Sequence, residues 1–267
     1  MPVQTTHKKP ASIHEKVNLR THLPTLEELN AQGIAMRARV PREAHGQWRP
    51  TEKREDVLSI IKESNVGRQK HLILLRMQRM AASPFAFLRG AASVMAYDLA
   101  KSPTMGCNVA LAGDAHLNNF GIYGTAQREL VFDINDFDET IVGPWEWDLK
   151  RLTASVNVAG RENGMTARER RNAVMQAVAG YQENMERLQS MGTLDIWYLH
   201  AYPGKASILR KAPAKAQAVS QKVMAKALRS DNHSLLRKIA DKDAKGHWQF
   251  REDPPILTRI TPALKTN

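Results

Sequence analysis

The chain has 267 residues, 42% of them hydrophobic, a formal net charge of +12 and a single cysteine. That length supports one substantial core or two modest ones, while no run approaches the ~18 to 20 consecutive apolar residues of a membrane span. The N-terminal MPVQTTHKKPAS lacks the apolar stretch of a secretory leader and one cysteine excludes an intramolecular disulfide or a Cys-rich zinc site, so a soluble, cytoplasmic protein is expected.

Residues 1–50 are polar and proline-bearing with no sustained period, and they read as an N-terminal arm with short helical pieces leaning on the body through Trp48. Residues 51–267 form the main domain. Within it, EDVLSIIKESNVGRQKHLILLRMQRMAAS predicts helix broken near Gly67. SPFAFLRGAASVMAYDLAKSP predicts one further helix, N-capped by Ser83 with Pro84 at its first position, carrying Leu88, Ala92, Met95 and Leu99 as a stripe and stopped by Pro103. NVALAG, with Cys107 just before it, and ELVFDIN read as neighbouring strands. Gly143-Pro144 opens a helix with an apolar stripe of Trp145, Leu149, Leu152, Val156 and Ala159. A capping box, Thr166 to Glu169, starts another, with Val174, Val178, Tyr181, Met185 and Leu188 facing inward. The Lys/Ala-rich segment from Ala206 to Ala240 is expected to be helical with an interruption at Pro213. The fold class expected is α+β, predominantly helical, around a very small β element.

Charge is distributed unevenly. Residues 201–267 hold fourteen Lys/Arg against five Asp/Glu, a basic region that favours anionic partners and leaves nucleic acid, nucleotide phosphates and plain solubility open. From Cys107 to Leu149 the balance reverses, with eight Asp/Glu against the single Arg128. On ELVFDIND, Leu130, Phe132 and Ile134 share one face by alternation and Asp136 follows on the same parity, so its carboxylate is expected to be partly desolvated and in need of a counter-charge. A metal ion or basic groups from elsewhere in the fold can supply it. Carboxylate and amide oxygens without thiolates suit a hard divalent ion such as Mg2+.

The spacing follows a template for phosphoryl transfer, in which a catalytic Asp is followed five positions later by a Mg2+-binding Asn and then by an Asp-Phe pair. Here Asp114 precedes Asn119 by five positions, and Asp136-Phe137 lies downstream. With His116 in GDAHLNN, the pattern resembles the Gly-Asp-x-His-x-x-Asn of aminoglycoside- and choline-type kinase-like phosphotransferases, whose second Asp is followed by one that braces the catalytic loop. Asp148 occupies that place. SPFAFLRGAA, GDAHLNNFG, FDINDFDET and GPWEWDLKRL together closely resemble the bacterial DUF2252 family over most of the chain, from about Glu55. The resemblance implies a fold like the C-terminal, catalytic lobe of kinase-like enzymes, with Mg2+ and ATP as cofactors. It implies Asp114 as base with His116 beside it, and Asn119 and Asp136 as metal ligands, while the acceptor stays unnamed. Arg89 can reach a phosphate of the cofactor, although a structural ion pair to an acidic loop competes for it. Members of the family generally continue with a Gly-rich segment and a Lys that resemble a nucleotide-binding lobe. No G-x-G-x-x-G or Walker motif occurs here, so a missing nucleotide-binding half, and inactivity of this chain alone, are expected.

Bland readings stand beside these. Asp114 with Asn119 can be a turn that satisfies its own backbone, His116 can bond a loop carbonyl, Asp133, Asp138 and Glu139 can be solvated, and Trp145 and Trp147 can be core fillers. Two other functions fit part of the pattern. One is a non-catalytic binding protein with a vestigial acidic site, and the other is a metal-dependent phosphoesterase suggested by GDAH, which lacks the additional histidine ligands such enzymes need.

Overall fold

The computed structural model describes residues 24–127, 129–202, 214–229, 232–254, 257–258 and 260. The chain divides into two compact units, Met1–Gln47 and Trp48–Asn267. In the first, helix α1 (Leu26–Arg39) starts on a capping box in which Thr25 and Glu28 exchange side-chain bonds with each other's backbone N–H, and a 3-10 turn spans Arg42–Gly46; neither element buries a residue.

The second unit begins with four short helices. α2 (Val57–Glu63) and α3 (Lys70–Ala81) are separated at Gly67, where the expected break falls. Ile61, Met80 and Ala91 form the buried core of this region, with Val57, Met77 and Val94 packed around it. Ser83 caps α4 (Pro84–Gly90), its hydroxyl accepting from the Ala86 N–H at 3.1 Å, and Pro84 takes the first helical position. The segment is not one helix, however. It breaks at Ala91, and α5 (Ala92–Leu99) starts anew. The cause is a close approach that sequence periodicity does not register: a Cβ on Gly90 would overlap the side chain of Met80, and the Gly90 carbonyl accepts from Arg76 at 2.6 Å instead of continuing a helical ladder.

The β structure consists of antiparallel two-stranded ribbons. β1 (Asn108–Leu111) does not pair with the ELVFDIN strand. Its partner is β4 (Ile141–Pro144), with Leu111 opposite Ile141. β3 (Leu130–Ile134) pairs with β2 (Phe120–Gly124), Phe120 lying opposite Ile134. Gly143-Pro144 therefore ends a strand, and the long helix α6 starts after it (Glu146–Glu162). α6 packs along α7 (Ala167–Gln189), whose Thr166–Glu169 capping box forms as expected. Trp145 stacks on Tyr181 at 5.7 Å with the rings nearly parallel. The expected stripes are partly buried throughout, except that Met185 on α7 is half-exposed; the fully buried residues of α6 are Glu146, Arg151, Ser155 and Gly160.

Downstream come α8 (Thr193–Trp197), α9 (Ala214–Leu228), α10 (Asn232–Ile239) and a ribbon of β5 (Ala240–Lys242) with β6 (Trp248–Phe250). Residues 206–213, including the expected break at Pro213, lie outside the described residues. No helix among the described residues is long and apolar enough to cross a membrane.

Candidate functional site

The loop after β1 carries GDAHLNN, and α6 holds nearly all of it. The Asp148 carboxylate, in the first turn of α6, accepts from the backbone N–H groups of Ala112 at 2.8 Å and Gly113 at 3.1 Å. One turn on, Arg151 donates from Nε to Asp114 Oδ1 at 2.7 Å and from a terminal nitrogen to the Leu88 carbonyl at 2.6 Å. A further turn on, the Ser155 hydroxyl accepts from the Leu117 N–H at 3.1 Å and donates to Leu152 O at 2.6 Å. Positions 148, 151 and 155 share one helix face at the i, i+3, i+7 spacing. An irregular loop needs partners for its backbone polar groups, and this polar stripe provides them.

Gly113 makes the turn possible. Its φ of 82° lies in the left-handed region that side chains disfavour, and a Cβ there would overlap the Glu139 carbonyl of the strand-to-strand connection crossing above it. Within the loop, the Asp114 carbonyl accepts from the His116 N–H and from the Asn119 amide nitrogen, both at 2.8 Å. The self-satisfied turn is thus real, and it has a chemical consequence. With its nitrogen anchored, Asn119 keeps an Oδ1 that has no partner among the described residues.

Asp114 is largely buried, with 13% of its side chain exposed, and its counter-charge is the buried Arg151 guanidinium, two residues beyond the acidic segment. His116 is 3% exposed. Its Nε2 lies 3.5 Å from Asp114 Oδ2, its Nδ1 has no partner among the described residues, and its ring meets Phe85 edge-on at 6.4 Å. Neither ring nitrogen bonds a loop carbonyl among those residues. Burial pushes the imidazole below its ordinary 6.5; Asp114 opposes this, while Arg151 and Arg89 reinforce it.

The unfolded chain takes up the His116 proton near pH 6.5, whereas the folded chain resists it to lower pH. This contribution to stability is therefore complete above about pH 6.5 and declines as pH falls below it. In urea titrations at pH 7 and 5.5, the midpoint of the wild-type protein is expected to drop more than that of His116→Gln; equal drops would contradict the assignment.

Asp136 differs from expectation. It is exposed on the connection after β3, because the strand buries Val131 and leaves Phe132 46% exposed, so the parity that was to desolvate Asp136 points outward. It nevertheless lines the same cavity, of about 1000 Å³, as Asp114, His116 and Asn119. Asp138 and Glu139 line it too, while Asp133 turns back on its own strand, accepting from the Ile134 N–H. The opposite wall comes from α3, α4 and the start of α5, and includes Arg89. Arg89 forms no ion pair among the described residues, so the structural pairing expected for it does not occur; Arg151 takes that part. Sequence reasoning missed Arg151 and Ser155, although three polar residues at helical spacing directly after an acidic loop were a usable signal.

The motifs that build this loop and helix lie inside residues 68–267, which match the family model described as an uncharacterized protein conserved in bacteria (DUF2252). The chain belongs to this family. No curated protein and no solved structure matches it. In this DUF2252 member the match covers α3 through β6 and so most of the cavity lining, Ser64 and Gly67 lying just before it.

Proposed function

We propose that the protein is a Mg2+-dependent phosphotransferase with a lobe of kinase-like type and ATP as donor. The observation that carries the reading is that Asp114, Asn119 and Asp136, the order and spacing phosphoryl transfer uses, line one cavity. Asp114 is the base toward an acceptor hydroxyl. Arg151 and the bonds to its carbonyl fix its orientation, and the neutral His116 flanks its second oxygen. Asn119 Oδ1 and the exposed Asp136 carboxylate are hard oxygen donors without other partners among the described residues. Mg2+ commonly takes one or two carboxylates and completes its shell with waters and substrate phosphates. No three His, Cys, Asp or Glu side chains cluster as a metal site among the described residues. The donor set therefore fits an ion that arrives with a nucleotide, and fits poorly the dinuclear centre of a phosphoesterase. When bound, Mg2+ would neutralise charge on the transferring phosphoryl group. Arg89 is assigned to the donor phosphates.

Thermal unfolding tests this. ATP with Mg2+ is expected to raise the midpoint of the wild-type protein by several degrees, as ligand binding to the folded state requires. The rise is expected to vanish in Asp136→Ala, an exposed position whose loss leaves the fold intact. Equal shifts in both proteins would remove the metal assignment.

A further inference from the structure

The wall facing the acidic loops is basic, and its charges are not all used. Arg68, Arg76, Arg79 and Arg89 line it. Arg76 is committed to structure, donating to Asn65 Oδ1 at 2.7 Å and to the Gly90 carbonyl at 2.6 Å. Arg68 spends only its Nε, on the Ser64 carbonyl at 3.0 Å. Arg79 and Arg89 are exposed and make no hydrogen bond or ion pair among the described residues. The eight-residue α5 begins without a side-chain cap, its N-cap being Ala91, and Ala92 and Ser93 line the same wall. Like charges lining one cavity repel each other, as Arg68 and Arg76 do. An oxyanion relieves this, because guanidinium forks and an open helix N-terminus are donors to phosphate oxygen.

We propose that Arg79, Arg89 and the free end of Arg68 form a cradle for an oligophosphate, the part that glycine-rich loops play in other nucleotide sites. The inference rests on the transfer reading for the identity of the site and adds which wall takes the phosphates. A cavity of about 1000 Å³ is of small-ligand size, at the upper end of the roughly 300–1,000 Å³ usual for such sites. That favours a soluble phosphate compound over a polymer.

The test is calorimetric titration of the full chain with inorganic tripolyphosphate in EDTA at low salt, so that no metal is involved. Wild-type protein is expected to bind. Arg79→Ala and Arg89→Ala are each expected to weaken binding at least about tenfold, the worth of one charge-assisted hydrogen bond. Arg187→Ala on α7 is expected to change nothing, and Asp136→Ala to leave binding equal or tighter. Orthophosphate separates the sources: tripolyphosphate binding at least about tenfold tighter assigns the cradle to the donor chain, and equal affinity assigns it to a single phosphate group on the acceptor. Absence of tripolyphosphate binding, or an equal loss in Arg187→Ala, overturns the cradle even if Mg2+-ATP stabilises the protein. Binding that depends on Arg79 and Arg89, together with Mg2+-ATP stabilisation indifferent to Asp136→Ala, upholds the cradle and sinks the metal-assisted reading.

Discussion

Arg151→Met is expected to destabilise the protein by about 3–5 kcal/mol, the usual cost of breaking a buried ion pair from one side. Methionine fills much of the volume, so the loss comes from what it cannot do. The Asp114 carboxylate, largely buried, would keep a charge with no guanidinium beside it, and the Leu88 carbonyl would lose its donor at 2.6 Å. Urea denaturation measures the effect as a fall in midpoint at unchanged slope. The double variant Arg151→Met with Asp114→Asn should recover part of the loss, because the amide carries no charge to strand. A single-variant cost within 1 kcal/mol of zero, or no recovery in the double, would show that this pair does not hold the loop.

Gly113→Ala is the second large effect. The left-handed φ alone costs a side chain roughly 1–2 kcal/mol, and Gly106 at φ 84° provides the control, since nothing lies within 4 Å of a Cβ there. At Gly113 the added methyl meets the Glu139 backbone carbonyl, which cannot swing aside as a flexible side chain can. Gly106→Ala is expected to lose about 1–2 kcal/mol and Gly113→Ala at least about 2 kcal/mol more, because overpacking adds to strain. Loss of Mg2+-ATP stabilisation should accompany only the second. Equal losses at the two glycines would mean that the Glu139 segment does not pack on the loop.

The parts of the fold legible in the sequence are those decided within a few residues. Ser83, Thr166 with Glu169, and Gly67 act through local hydrogen bonds and local backbone preference, and they fall where expected. What failed depends on distant partners. Strand pairing was misassigned because four- and five-residue runs carry no record of which neighbour they join, and β1 joins β4 across the whole acidic segment. The break at Ala91 follows the close approach of Gly90 to Met80, ten residues earlier. The alternation expected on β3 does not carry through: Leu130 and Ile134 are half-buried and Val131 fully so, while Phe132, Asp133 and Asp136 are exposed.

The candidate site divides the same way. Asp114, Asn119 and Asp136 stood out by their spacing, and all three line one cavity. The counter-charge was not, because the compositional window ended at Leu149 and the decisive cation is Arg151. On α6 the apolar residues drew the reading, while the buried positions proved to be polar ones.

One guanidinium touches both sides of the cleft. Arg151 holds Asp114 with one nitrogen and, with another, the carbonyl of Leu88, the residue before Arg89. Since the group is planar and rigid, it acts as a gauge block: the gap between the acidic lip and the backbone that carries Arg89 is set by the width of a single functional group. Widening that gap would require letting go of one jaw.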